Sequence, residues 1–313
     1  MSRPGVLVLC DDAADYLPCL AELERQGTQL VAAASAQDAR SAWSGQPVVL
    51  GQPDLVAAAM GDLPGVRWVQ STWAGVTPLL ALGRRDFLLT GVKDVFGPQM
   101  AEYVLGQVLA RELRLSERRE QQRLRRWWPA ASGSLRGKTM GIMGTGSIGR
   151  CIARMAAPFG LRVIGYSRGG GAETGFERVF GADRLETFLS IPDYVVCVLP
   201  DTPETHHLLN GKTLRCLQPH CCLVNVGRGN AIDEAALAAA LERGDLAGAV
   251  LDVYQREPLP EASPLWDAPG VVLTAHVAAK SHPPDIARIF IENYNRFLAG
   301  EPLNHLVDFA RGY

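Results

Sequence analysis

Short apolar runs alternate with amphipathic segments along the first hundred residues. The apolar runs are Val6–Cys10, Gln29–Ala33, Val48–Leu50 and Trp68–Gln70, and the segment from Ala14 to Gln26 has the spacing of an amphipathic helix. Strands that alternate with helices predict parallel pairing, because each helix returns the chain to the same end of the sheet. This part of the sequence therefore predicts a small parallel α/β domain.

A second and longer series of apolar runs begins after residue 137. Its members are Met140–Met143, Arg162–Tyr166, Tyr194–Leu199, Leu223–Val226, Ala249–Val253 and Val271–Thr274. A helix is predicted from Asp233, a residue type that caps helices, to Arg243, where Gly244 should end it. Six strands separated by helical segments predict a doubly wound Rossmann sheet.

Two further helical patterns mark the borders between these series. One runs from Gln99 to Arg126 as a single long helix, and the other runs from Asp285 to Leu298. The predicted fold class is α/β with two domains. Residues 98–281 form the Rossmann domain with its doubly wound parallel sheet. That domain is inserted in a smaller flavodoxin-like α/β domain, residues 1–97, completed by residues 282–313.

A glycine-rich turn joins the first strand of the Rossmann series to a helix. Its sequence is Gly144-Thr145-Gly146-Ser147-Ile148-Gly149. Gly144 permits a tight turn, Gly146 lets a pyrophosphate approach bare backbone, and Gly149 lets the helix pack closely on the strand. The free N–H groups of the helix N-terminus then attract phosphate. A strand, this turn and a helix in sequence predict a bound dinucleotide.

Charge and cysteine content narrow the function classes. The formal net charge is −2, so nothing in the overall balance points to nucleic acid or to an anionic membrane. The arginine-rich second half of the 99–126 pattern is interpreted as a solvated helix face. The seven cysteines lack metal-site spacing, so they predict buried free thiols and no metal. The N-terminal apolar run meets acidic residues at Asp11, which favours a first strand over a signal peptide, and a cytoplasmic enzyme is expected.

Three ionisable residues follow strands of the Rossmann series, where doubly wound sheets collect ligands. They are Arg228, Glu257 and His276. Arginine can hold a carboxylate with its planar fork, and histidine is a suitable proton donor near neutral pH. A carboxylate beside that histidine would fix its tautomer and stabilise its protonated form. These are the groups that hydride transfer to a 2-oxo acid requires.

The end of the second Rossmann strand predicts which dinucleotide binds. NAD-binding domains place an acidic residue there to accept from the ribose 2′-hydroxyl. Here Ser167 and Arg168 occupy that place, followed by Gly169-Gly170-Gly171. A guanidinium and a hydroxyl can donate to a 2′-phosphate, so NADPH is predicted to bind in preference to NADH.

Several motifs together resemble the D-isomer-specific 2-hydroxyacid dehydrogenase family over nearly the whole Rossmann domain. They are Gly144–Gly149, Asn225–Gly229, Leu251–Tyr254, Arg256–Pro260, Ser263–Trp266 and Thr274–Ala279. Three others, Pro98–Tyr103, Ser167-Arg168 and Ala310–Tyr313, resemble the subgroup of glyoxylate/hydroxypyruvate reductases A. The expected activity is therefore NADP-dependent reduction of small 2-oxo acids to 2-hydroxy acids.

The resemblance implies a role for each matching residue. It makes His276 the acid/base, Glu257 its partner and Arg228 a substrate ligand, and it has the backbone of Ala74, Gly75 and Val76 bind the substrate carboxylate. Trp73 precedes this loop, so its indole is predicted to form a wall of the substrate pocket, the alternative being that it packs away from substrate. It also places Pro200, Thr205 and Asp252 at the cofactor. With these, the full set of positions predicted to bind the cofactor is Gly144, Thr145, Gly146, Ser147, Ile148, Gly149, Ser167, Arg168, Leu199, Pro200, Thr205, Val226, Gly227, Asp252 and Ala278. It also implies a homodimer built through the cofactor domains, and a cleft that closes by hinge motion.

The sequence departs from the family pattern at two positions, and two other functions are still possible. Ala275 replaces a common proline, and Trp73 stands where a small residue is usual, which leaves the identity of the substrate open. Corepressors that resemble this family keep the fold and sense nucleotides, although this sequence is not expected to carry their long interaction tails. A formate-type dehydrogenase fits the set of Arg228, Glu257 and His276 less well than a 2-oxo acid reductase does.

Overall fold

The computed structural model describes residues 3–309, so the Ala310–Tyr313 motif lies outside the described residues. The chain forms two compact units. One contains the residues up to Val95 and those from Ser281, and the other runs from Phe96 to Lys280. Within the described residues, no helix is both long and apolar enough to cross a membrane.

The first unit contains a five-stranded sheet in the order β2-β1-β3-β4-β5, and every pairing is parallel. This is the 2-1-3-4-5 order of flavodoxin-like folds. Its strands are β1 (Val6–Leu9), β2 (Leu30–Ala33), β3 (Val48–Gly51), β4 (Trp68–Ser71) and β5 (Leu88–Thr90). Its helices are α1 (Ala13–Arg25), α2 (Ala36–Ala42), α3 (Pro53–Ala59), α4 (Thr77–Leu80) and α10 (Pro283–Ala299).

Helix α10 brings the C-terminal part of the chain back to this unit. The ring of Phe290 stacks on that of Trp68 with centroids 5.2 Å apart, and both side chains are fully buried. The hydroxyl of Tyr294 lies 3.1 Å from that of Thr28 and donates to the carbonyl of Pro4 at 2.6 Å. Aromatic packing and buried hydrogen bonds thus join α10 to the N-terminal strands and helices.

The second unit contains a seven-stranded parallel sheet in the order β12-β11-β10-β9-β6-β7-β8. Its strands are β6 (Thr139–Met143), β7 (Arg162–Tyr166), β8 (Arg178–Phe180), β9 (Tyr194–Cys197), β10 (Cys222–Asn225), β11 (Gly248–Leu251) and β12 (Val271–Leu273). Its helices are α5 (Gly97–Glu112), α6 (Leu115–Arg123), α7 (Ser147–Ala156), α8 (Leu185–Leu189) and α9 (Glu234–Arg243). Counted within the unit, the order is 3-2-1-4-5-6-7, which is the Rossmann order with one added strand.

The expectation of one helix from Gln99 to Arg126 is wrong, because the chain breaks between α5 and α6. Arg114 adopts a left-handed conformation with φ 52°. The carbonyl of Glu112 accepts from Gly133 N at 2.8 Å, and that of Leu113 accepts from Arg118 Nε at 2.8 Å. These donors satisfy the last carbonyls of α5, so the helix can end inside a continuous helical sequence pattern.

The expected count of six Rossmann strands is also wrong, and β5 in the first unit was not anticipated. Both β5 and β8 are three residues long, which is too short to show a period in sequence. The expectation for α9 is confirmed. The side chain of Asp233 accepts from Ala236 N, and Gly244 ends the helix with φ 74°.

Candidate active site

The glycine turn lies between β6 and α7, and its geometry fits a dinucleotide phosphate. Gly144 has φ 104°, and a Cβ on Gly149 would stand 2.0 Å from the carbonyl oxygen of Gly144. A Cβ on Gly146 would meet nothing within 4 Å, so this residue faces open space at the first turn of α7. Thr145 is buried, while Ser147 and Ile148 begin the helix. Bare backbone therefore faces the place where an anion would approach a helix N-terminus.

The end of β7 presents Ser167 and Arg168 beside this turn. Gly144 N donates to the carbonyl of Tyr166, the last residue of β7, at 2.8 Å. Ser167 is partly buried and Arg168 is exposed. The charge of Arg168 helps to lower the pKa of Glu204, after the larger effects of hydrogen bonds from the Glu204 backbone and Thr202. The charge of the Arg168 guanidinium is therefore felt in the region between the ends of β7 and β9.

The segments that follow β9 and β10 pack closely at the same edge of the sheet. A Cβ on Gly227 would stand 2.8 Å from both N and O of Leu199, so only glycine permits this approach. Leu199 and Val226 are buried. Pro200 accepts from the Thr205 hydroxyl at 2.7 Å, which closes the loop after β9. These five predicted cofactor residues therefore lie along the carboxyl ends of neighbouring strands.

Arg228 extends from the end of β10 and is partly buried. Its guanidinium donates to the carbonyl of Gly227 at 2.7 Å. Burial lowers the pKa of Arg228, and the carboxylates of Asp201 and Glu257 oppose that effect. Arginine remains charged at neutral pH, so the structure holds a partly desolvated cation near the carboxylate of Glu257.

Glu257 and His276 form a hydrogen-bonded pair. The carboxylate oxygen Oε2 of Glu257 lies 2.8 Å from Nδ1 of His276, and Oε1 accepts from Tyr254 N at 3.0 Å. More than half of the His276 side chain is exposed, and its backbone is left-handed with φ 55°. A non-glycine residue held in this conformation is typical of functional sites. Because Nδ1 is engaged by Glu257, Nε2 is the ring nitrogen available to another molecule.

Asp252 organises the loop that carries His276. Its side chain is 1% exposed and accepts from the Thr274 hydroxyl at 2.6 Å, from Val277 N at 2.9 Å and from Ala278 N at 2.9 Å. Its carbonyl accepts from His276 N at 2.8 Å. Asp252 and Ala278 are both predicted to lie at the cofactor, and in the structure they also help to hold the His276 loop.

Two tyrosines that sequence reasoning missed support this loop from other elements. The Tyr103 hydroxyl lies 2.6 Å from Thr274 Oγ1, and because that hydroxyl donates to Asp252, Tyr103 is the donor. The Tyr254 hydroxyl lies 2.6 Å from the carbonyl of Thr274. Burial, followed by the charge of Asp252, raises the pKa of Tyr254 to about 12. Both tyrosines stand in motifs of the sequence, Pro98–Tyr103 and Leu251–Tyr254, but their contacts with Thr274 join residues distant along the chain, so the motifs alone do not reveal this supporting role.

The predicted substrate loop, Trp73–Val76, lies in the first unit after β4. The hydroxyl of Ser71 accepts from Trp73 N at 3.0 Å and donates to the Trp73 carbonyl at 2.7 Å. The side chain of Trp73 is 39% exposed, Ala74 is exposed, Gly75 is half-buried and Val76 is buried. The backbone of the loop is therefore fixed locally while the indole stays accessible.

Comparison with known proteins places the chain among enzymes of one family. The sequence profile of the D-isomer-specific 2-hydroxyacid dehydrogenase NAD-binding domain matches residues 105–278. The glyoxylate/hydroxypyruvate reductase A of Escherichia fergusonii is 37% identical over 217 residues, which are 69% of this chain and 70% of that protein.

Solved structures match almost the entire chain. A D-isomer-specific 2-hydroxyacid dehydrogenase family protein from Aeromonas salmonicida superposes with a TM-score of 0.94 at 41% identity, covering 98% of this chain and 100% of that one. A D-isomer-specific 2-hydroxyacid dehydrogenase from Xanthobacter autotrophicus in complex with NADPH has a TM-score of 0.88 at 33% identity, with coverage of 99% and 100%. An NADPH-dependent glyoxylate/hydroxypyruvate reductase from Sinorhizobium meliloti in complex with NADP has a TM-score of 0.87 at 30% identity, with 100% of both chains covered.

Proposed function

Because the chain belongs to the D-isomer-specific 2-hydroxyacid dehydrogenase family, we propose that it is an NADPH-dependent reductase of small 2-oxo acids of the glyoxylate and hydroxypyruvate type. The observation that carries this proposal is the Glu257–His276 pair near Arg228 at the carboxyl edge of a Rossmann sheet. A proton donor, a carboxylate that orients it and an anion-binding cation are the protein groups this reduction needs.

Arg228 has the role of binding and polarising the substrate. Its guanidinium can hold the carboxylate of the oxo acid through two parallel hydrogen bonds and draw electron density from the adjacent carbonyl. Partial burial strengthens both effects, since a charge acts more strongly where water is excluded. When bound, the reduced nicotinamide supplies the hydride that the carbonyl carbon receives.

His276 has the role of proton donor. Its Nδ1 is engaged by Glu257 at 2.8 Å, so Nε2 gives its proton to the carbonyl oxygen as that oxygen gains negative charge. The carboxylate of Glu257 stabilises the protonated ring before transfer and fixes its tautomer afterwards. Hydride and proton together convert the 2-oxo acid into the 2-hydroxy acid.

The remaining predicted site residues divide between two binding tasks. We assign the cofactor to the Gly144–Gly149 turn, to the ends of β7, β9 and β10, and to Asp252 and Ala278, with Ser167 and Arg168 directed to the 2′-phosphate. We assign the substrate carboxylate to the loop Trp73–Val76. On this assignment residues 98–281 form the dinucleotide-binding domain, and residues 1–97 with 282–313 form the substrate-binding domain.

We further propose that the enzyme is a cytoplasmic homodimer built through its cofactor unit. No residue of α6 is buried, and the apolar side chains around it are exposed, namely Leu113, Leu115, Leu124 and Trp127. A second copy covering this patch would remove its apolar area from water. All seven cysteines are free, five of them buried, which suits a reducing compartment. Light scattering should find a dimer, and Trp127→Ser combined with Leu124→Ser should yield a folded monomer.

A panel of oxo acids tests the activity. Glyoxylate, hydroxypyruvate and phenylpyruvate are each assayed with NADPH and with NADH, following the loss of reduced-nicotinamide absorbance. We expect turnover of glyoxylate and hydroxypyruvate with NADPH, and a lower kcat/KM with NADH. NADPH binding with no turnover of any acid would contradict the proposal and would favour a nucleotide-sensing binding protein.

A further inference from the structure

The turn that carries Glu257 is anchored by a second carboxylate from a different element. Gln255 N donates to Oε1 of Glu234 at 2.7 Å, and Tyr254 N donates to Oε1 of Glu257 at 3.0 Å. Glu234 is the first residue of α9, whereas Glu257 follows β11. Two carboxylates therefore hold neighbouring amides of one short turn.

The side chain of Gln255 adds two more contacts, one with the segment before α9 and one with the loop after β9. Its amide nitrogen donates to the carbonyl of Ile232 at 2.6 Å and lies 3.0 Å from Nε2 of His207. With the Glu234 bond, these contacts fix the backbone and side chain of Gln255. Glu257 is two residues further along the chain, so the position of its carboxylate depends on the position of Gln255.

An ionised carboxylate at position 234 is unfavourable for the stability of the folded state. Burial raises the pKa of Glu234 and the charge of Glu257 raises it further, while the Gln255 hydrogen bond and His207 act in the opposite direction. A neutral side chain would avoid the desolvation and the repulsion. Removing the acceptor altogether would instead leave the Gln255 amide without its partner.

We propose that Glu234 is a positioning residue for the Glu257–His276 pair, holding the Gln255 amide and thereby fixing the Glu257 carboxylate against the imidazole. This inference rests on the proposed function for its kinetic consequences. Other ionisable groups lie near the pair or near the segments that support it, and all of them are the same in every variant compared. They are Tyr103 on α5, Asp201 and His207 after β9, Arg228 after β10, and Asp252 and Tyr254 at the end of β11.

Three variants test whether Glu234 positions the Glu257–His276 pair. Glu234→Ala removes the acceptor and is expected to lower kcat roughly tenfold, the equivalent of one charge-assisted hydrogen bond, with the KM for NADPH unchanged. Glu234→Gln keeps an acceptor oxygen and should restore most of that turnover. Glu242→Ala, at an exposed position on the same helix, is the matched control and should behave as the wild type.

Combination with Glu257→Gln tests whether Glu234 acts through Glu257. In that background Glu234→Ala should lower kcat by a much smaller factor, because the effects of two residues that act through one another are not additive. In the single variant, the alkaline fall of the reduction rate should move to lower pH, since the protonated imidazole loses a well-placed anion. Full additivity together with an unmoved pH profile would overturn the inference.

A readout without turnover keeps this inference separate from the proposed function. The ring-proton NMR signal of His276 is followed against pH in the wild type, Glu234→Ala, Glu234→Gln and Glu242→Ala, and is assigned by its loss in His276→Ala. We expect the titration midpoint to fall in Glu234→Ala, with recovery in Glu234→Gln. An identical midpoint in Glu234→Ala and wild type would overturn the positioning role, even if no oxo acid were reduced.

Discussion

Replacing Asp252 by Asn should displace the His276 loop while leaving the shape of the core unchanged. The carboxylate of Asp252 is 1% exposed and accepts from the Thr274 hydroxyl and from the amides of Val277 and Ala278. An Asn side chain has nearly the same size but only one acceptor oxygen. Its NH₂ group must therefore face a donor, whichever way the amide is turned.

The hydrogen bonds of Asp252 determine how much stability and turnover the Asp252→Asn variant should lose. A buried donor left without an acceptor costs about 1–3 kcal/mol. A unit of this size loses roughly 2–4 °C of Tm per kcal/mol, so a fall of about 2–12 °C is expected. If the loop moves His276 by about 1 Å, turnover should fall on the order of 10²-fold.

Thermal unfolding and steady-state kinetics measure the two effects in the same samples. Asp267→Asn is the control, because Asp267 is exposed and its replacement should change neither Tm nor kcat. Asp252→Ala removes the acceptor for all three donors and should lower Tm further than Asp252→Asn. Wild-type Tm and wild-type kcat in Asp252→Asn would refute the role assigned to this carboxylate.

Three other outcomes follow from the structure. Replacing Ser167 and Arg168 by aspartates should reverse the preference for NADPH by about one to two decades in kcat/KM, since one charge-assisted phosphate contact contributes about 1.5–3 kcal/mol. Equal kcat/KM for NADPH and NADH in the wild type would refute the assignment of these residues to the 2′-phosphate. Trp73→Ala should extend the range toward bulkier acids such as phenylpyruvate, since the indole is accessible beside the predicted carboxylate loop; an unchanged ranking of the three acids would reject this wall. Because burial and Glu257 raise the pKa of Glu234, the folded state binds a proton at Glu234 more tightly than the unfolded chain does. Stability is therefore lost as pH rises above the ordinary glutamate value of about 4.3 toward the folded pKa, and Glu234→Gln should raise Tm at neutral pH but not at pH 4 or below, as calorimetry can test.

The elements that were predictable from sequence are those whose cause is local. The glycine turn at Gly144–Gly149 follows from the conformations that its residues must adopt, and the structure shows φ 104° at Gly144. The caps of α9 are similarly local, since Asp233 accepts an amide of its own helix and Gly244 ends it. Alternating strands and helices were sufficient to predict parallel sheets in both units.

The elements that sequence did not predict depend on contacts distant along the chain. The break after α5 requires Gly133 to reach the carbonyl of Glu112, a contact that no helical period reveals. The hydrogen bonds of Asp252 to Thr274 and Ala278 join residues 22 and 26 positions apart, so sequence spacing does not reveal that Asp252 holds the His276 loop. No sequence pattern singles out Glu234, because its partner Gln255 lies 21 positions further along.

The role of His276 as proton donor is tested most directly by one comparison of turnover with cofactor binding. His276→Ala is assayed for NADPH-dependent reduction of glyoxylate and for NADPH affinity in the same preparation. We expect kcat to fall roughly 10²–10⁴-fold while the Kd for NADPH stays at the wild-type value, because the ring serves the proton transfer and not the binding of the dinucleotide. Near-wild-type kcat in His276→Ala would contradict this role.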